Sequence, residues 1–115
     1  MENRTEILDR ARRCHEDGRF LAAADLLLEA FRGDPGDPEV ARELGRVLRS
    51  VGDLPGAVDY LKRAWQSEPA DPMTVAELVL ALHDLGRGDE AVKVMLASLD
   101  AGLEESGFAI ALTRI

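Results

Sequence analysis

The chain has 115 residues, 46% of them hydrophobic but only 4% aromatic, which fits one domain with an aliphatic core and favours helices over sheets. A formal net charge of -8 argues against nucleic acid and anionic membrane surfaces as partners. The single cysteine, Cys14, excludes an internal disulfide, no signal-peptide profile opens the chain, and no apolar run spans a membrane, so a cytoplasmic setting is expected.

In chain order, the first predicted helices run near Asn3 to Glu16 and Arg19 to Arg32. Asp37-Pro38 opens the next, over Glu39 to Val51: the aspartate can cap free N–H groups, and proline at the first helical position loses no hydrogen bond. Its apolar residues, Val40, Leu44, Val47, Leu48 and Val51, have helical spacing. Gly52 is suited to the left-handed conformation that ends a helix. Asp53-Leu54-Pro55 starts a fourth helix with an apolar face of Ala57, Val58, Leu61, Ala64 and Trp65, closed at Ser67-Glu68-Pro69. Asp71-Pro72 opens a fifth to about Leu85, with Val75, Leu78, Val79, Leu82 and Leu85 inward. A sixth runs from about Asp89 to Ala101, and a last one over about 104–115 carries Phe108, Ile110, Leu112 and Ile115.

These elements repeat. Asp37-Pro38 and Asp71-Pro72 are 34 residues apart, as are Pro35 and Pro69. Gly18, Gly52 and Gly86 share that period, and so do Ala23, Ala57 and Ala91. The expected fold is all-α: three helical hairpins, at about 4–37, 38–71 and 72–105, followed by a C-terminal helix. Gly45 and Ala57 would let the two helices of a pair approach closely.

A 34-residue period with two helices per unit resembles the tetratricopeptide repeat family. The middle unit carries most of the likeness: Ala41, Leu44-Gly45, Leu48, Gly52, Ala57, Leu61, Ala64 and Pro69. The first unit departs at Arg10-Ala11 and Cys14, the third at Val79, Ser98 and Leu103. The resemblance implies an α–α superhelix whose concave surface, lined by the first helix of each unit, holds a peptide or a partner helix.

By register, the groove residues are Leu8, Arg12 and His15 in the first unit, Arg42, Arg46 and Arg49 in the second, and Met73, Leu80 and His83 in the third. The three arginines of the second unit share one helix face, and Arg12 matches Arg46. An arginine stripe would suit acidic side chains or a free C-terminus, because a planar guanidinium donates two parallel hydrogen bonds to a carboxylate. The competing reading pairs these arginines with Glu39 and Glu43 as exposed ion pairs worth about 0.3–0.5 kcal/mol each. Leu8, Met73 and Leu80 would serve the apolar side of an amphipathic helix, with Leu80 alternatively packed against its neighbouring unit. Members of the family that clamp a chaperone's terminal carboxylate use Lys and Asn at set groove positions. Here those places hold Leu8, Arg12, Glu43, Met73 and Glu77, so that clamp is expected to be absent.

The apolar last helix makes a poor cap for a solenoid. It implies either a segment of a longer multi-domain repeat protein or self-association, the chain then being a homo-oligomer through this helix. No metal-ligand spacing, nucleophile arrangement or phosphate loop is present, so neither cofactor nor enzymatic activity is expected. Asp34, Asp37 and Glu39 read as capping residues, and Cys14 and Trp65 as core, with Tyr60 partly exposed.

Overall fold

The computed structural model describes residues 3–115. Among these, seven helices follow one another with no strand: α1 (Arg4–Glu16), α2 (Phe20–Gly33), α3 (Pro38–Val51), α4 (Leu54–Ser67), α5 (Pro72–Asp84), α6 (Gly88–Asp100) and α7 (Glu105–Thr113). The cap residues set where they start. Asp37 Oδ1 accepts from the N–H groups of Glu39 at 3.1 Å and Val40 at 3.4 Å, and Asp71 Oδ2 accepts from Thr74 N–H at 3.2 Å. Asn3 and Asp53 cap α1 and α4 in the same way. Gly52 sits at φ +96°, and the N–H that follows it, on Asp53, bonds back to Leu48 O at 2.9 Å, closing α3 with a Schellman-type turn. Gly18 and Gly86 end α1 and α5 likewise.

The helices pair as α1–α2, α3–α4 and α5–α6, and the second helix of each of the first two pairs packs on the first of the next. The stack measures 40 × 25 × 23 Å. Leu27, Leu44, Leu61 and Leu78, spaced 17 residues apart, give one fully buried leucine to each of four successive helices. Around them, α1, α2 and α3 share one apolar cluster and α4, α5 and α6 a second, with Leu48 packed against both. Gly45 fits the tight α3–α4 crossing: a Cβ there would lie 2.5 Å from Leu61 Cγ and 3.2 Å from the Ala57 carbonyl.

One expectation needs correction. Leu8, assigned to the groove, is buried with Ala11, Ala24 and Leu27, because its helix face meets the neighbouring hairpin. Val51, the last apolar residue of the α3 pattern, is exposed at the end of that helix. Ser98, where the repeat has alanine, is fully buried and satisfied: its hydroxyl donates to Val94 O at 2.7 Å and accepts from the Trp65 indole N–H at 2.9 Å.

The last helix departs from the repeat. A first helix of a fourth unit would pack on α6, as α3 does on α2 and α5 on α4. Instead α7 packs on α5 and scarcely touches α6. Ala111 is buried there, and Gly107 lies close to the Pro72 ring. Ile110, Leu112 and Ile115 remain exposed.

Candidate functional site

The first helices α1, α3 and α5 carry a ladder of charges. Glu43 and Glu77 occupy equivalent places and are buried, at 4% and 2% exposure. A buried carboxylate is costly unless it is paired and hydrogen-bonded, and both have partners. Arg46 Nε lies 3.0 Å from Glu77 Oε1, and Arg49 Nη1 lies 3.7 Å from its other oxygen. Glu43 is approached by Arg12 and Arg42 at 3.5 Å and by Arg46 at 3.4 Å. Arg12 also reaches Glu39 at 2.6 Å, and Arg49 reaches Asp84 at 3.1 Å. At the N-terminal end, Arg4 bridges Asp37 and Glu39.

The charges of Arg12, Arg42, Arg46 and Arg49 are thus balanced from within the chain. Most of their partners lie on the next hairpin, Glu39 and Glu43 for Arg12 and Glu77 and Asp84 for Arg46 and Arg49, while Arg42–Glu43, Arg46–Glu43 and Arg12–Asp9 are pairs within one helix. Arg12 with Glu43 and Arg46 with Glu77 share one offset of 31 residues, a periodic signal that was open to sequence reading. Burial pushes the Glu77 carboxyl above the usual glutamate range, against the pull of Arg46 and Arg49. The Arg4 hydrogen bond holds Asp37 below the usual aspartate range.

An open cavity of about 570 Å³ lies at the C-terminal ends of these helices. It brings together three of the expected groove residues, His15, Arg46 and Arg49, with Ser50, Glu77, Asp84 and Ile115. His15 Nε2 lies 2.7 Å from Ser50 Oγ. Burial and the nearby Arg46 charge lower its pKa, so the ring is neutral at pH 7. Arg42 lines a separate hollow with Arg4, Asp37, Glu39, Glu68, Asp71 and Thr74. Met73 faces α7, sharing a small cavity with Gly107, Ile110 and Ala111. Leu80 is half-buried, and His83 is exposed beside Asp84. Among the described residues no cluster of His, Cys, Asp and Glu could hold a metal ion, and no helix is long and apolar enough to cross a membrane.

Stacked two-helix units of this period, with an open surface on the first helices, define a helical-repeat solenoid. The tetratricopeptide repeat family profile matches residues 8–72 and 44–104, so the chain belongs to that family. No curated protein matches the sequence. Among solved structures, a mutant of MamA superposes with a TM-score of 0.74 at 21% identity, over 90% of this chain and 58% of that one. A second MamA mutant gives 0.72 at 19% identity, over 84% of this chain and 70% of the other. The tetratricopeptide repeat domain of Sgt2 from Aspergillus fumigatus gives 0.75 at 16% identity, over 96% and 74%. The chain thus spans little more than half of the first MamA structure, and these likenesses establish the fold alone.

Proposed function

We propose that this chain is an interaction scaffold whose concave surface holds an acidic peptide or amphipathic helix of a partner protein through Arg46 and Arg49. Tetratricopeptide repeat folds mediate protein–protein interaction, and the ladder supports a particular mode. Arg46 and Arg49 keep 29% and 24% of their side-chain surface exposed while Glu77 fixes them in place. A guanidinium has five N–H donors, and these contacts use only some of them. Pre-positioned cations of this kind lose little rotamer freedom when a carboxylate arrives. The single observation that carries the reading is this pair of half-buried arginines lining one cavity with His15 and Ser50. The apolar part of the contact is assigned to Leu80, and no longer to Leu8, which is buried, or to Met73, which faces α7.

The test must respect the ladder. Arg46→Glu would set a second carboxylate against buried Glu77 and unfold the site, so Arg46→Gln with Arg49→Gln is the better variant. Fluorescence polarisation with labelled helical peptides bearing glutamates at i,i+4 is the measurement. The expected result is binding by the wild type that weakens with salt and drops about tenfold or more in the double variant. Equal affinity for the two proteins would exclude the arginines from the contact.

A further inference from the structure

The outward side of α6 is uncovered in a way its counterparts are not. Ala24, Val58 and Val92 hold equivalent places in α2, α4 and α6; the first two are 7% and 1% exposed beneath the next helix, whereas Val92 is 49% exposed. Leu96 and Leu99, on the same side, are 58% and 42% exposed. The turn after α6 explains why. The earlier between-unit turns read Asp-Pro-Gly-Asp and Glu-Pro-Ala-Asp, whereas this one reads Ala101-Gly102-Leu103-Glu104. Gly102 takes φ +107°, and Leu103 N–H bonds to Ser98 O at 2.9 Å. That is the turn used within a hairpin, at Gly52 and Gly86. It folds α7 back onto α5, where buried Leu103 and Ala111 hold it, and leaves an apolar strip open on α6.

We propose that this strip is the contact of a two-fold dimer, in which two copies of the chain lie tail to tail with their α6 helices antiparallel. The reading is independent of the groove. Two features select a second copy in this orientation. First, the opposite end of the chain cannot take the place of a next unit. Where α3 buries Val40, Leu44 and Val47, α1 presents exposed Glu6, Arg10 and Arg13, so head-to-tail stacking would set charges on Val92 and Leu96. Second, the strip is self-complementary. Val92, Leu96 and Leu99 follow the 4,3 spacing of a helix–helix seam. Exposed Lys93 and Asp100 flank its two ends with opposite charge, and an antiparallel pairing sets Lys93 of each copy by Asp100 of the other. Like patches meeting across a two-fold axis close after two copies. One 13-residue helix offers less than the about 800 Å² that each partner of a standard interface buries, so the dimer is expected in the range of about 10–100 µM.

Sedimentation velocity on the 115-residue chain, from about 1 µM to about 1 mM, should show a monomer–dimer equilibrium. Leu96→Glu should abolish the dimer within that range with its circular dichroism unchanged, since residue 96 is exposed. Lys93→Asp should weaken it about tenfold, and Lys93→Asp with Asp100→Lys should restore it. In a Cys14→Ser background, Leu96→Cys should give a disulfide-linked dimer under mild oxidation. A monomer at the highest concentration, a Leu96→Glu variant that still dimerises, or cross-linking of Leu96→Cys to Arg10→Cys but not to itself would overturn the proposal.

Discussion

Arg10 and Met95 stand one half-repeat beyond the two ends of the series Leu27, Leu44, Leu61 and Leu78. In sequence register they are its next members on either side. At the N-terminal end the series stops at an exposed arginine, and Glu6 and Arg13 join it on the outer face of α1. At the C-terminal end it runs on into a half-buried methionine, with Val92, Leu96 and Leu99 exposed around it. The outer face of α1 carries charge. The outer face of α6 is apolar and left open by a helix that turns away. A periodic sequence therefore does not guarantee equivalent ends, because the interior energetics of each unit depend on what covers it.

The largest effects should come from the interior that both ends share. Leu61→Ala, in a fully buried position at the α3–α4 crossing, should lower the unfolding free energy by about 3 kcal/mol. A urea titration should show this as a lower midpoint at constant slope. The same truncation at Leu96 should cost less than about 0.5 kcal/mol. If the two losses were alike, the contrast between a covered and an uncovered second helix would be wrong.

The charge ladder should respond to pH with opposite signs at its two ends. Glu77 has its pKa raised in the fold by burial. Its contribution to stability is therefore fully present below the ordinary glutamate value of about 4.3 and is lost as pH rises through the folded value. Glu77→Gln should be more stable than the wild type by about 1 kcal/mol at pH 7, and thermal melts of the two should converge below about pH 4. Asp37 behaves in reverse. Its pKa is lowered by the Arg4 hydrogen bond and by the backbone N–H groups of Val40 and Glu39. Its contribution is present above the ordinary aspartate value of about 3.9 and is lost as pH falls through the folded value. Arg4→Ala should cost about 1 kcal/mol at pH 7, discounted because Arg4 is half-exposed, and the deficit should disappear in acid. A Glu77→Gln variant less stable than the wild type at pH 7 would mean that Arg46 and Arg49 outweigh the burial.

Much of this was legible in the chain. The 34-residue spacing gave the hairpins, and Asp37-Pro38, Asp71-Pro72 and Gly52 marked helix ends that the backbone hydrogen bonds realise. The groove was less legible. Register alone assigned Leu8, Arg42, Glu43 and Glu77 to an open surface, whereas successive first helices close over part of that face and bury Leu8, Glu43 and Glu77. Helical periodicity describes one helix, and a residue's exposure also depends on the distance to the next. The packing of α7 on α5 was not legible from the repeat, because the 34-residue register carries no information on which helix a last element meets. The redirecting signal lay in the turn, where Gly102-Leu103 stands in place of an acidic residue and proline.

The smallest expected change in stability offers the sharpest view of the two ends. In a Leu96→Glu background, with the C-terminal strip closed by charge, Arg10→Leu would extend the leucine series by one member onto the outer face of α1. Residue 10 is exposed, so the unfolding free energy should move by no more than about 0.5 kcal/mol. What should change is association. The new leucine would join Ile7, Cys14 and Leu26, all half-buried in α1 and α2, and would enlarge an apolar surface that Arg10 now interrupts. Sedimentation should then show self-association absent from the Leu96→Glu protein alone. If Arg10→Leu stayed monomeric at millimolar concentration, Glu6 and Arg13 would suffice to cap that end, and solubility there would not depend on residue 10.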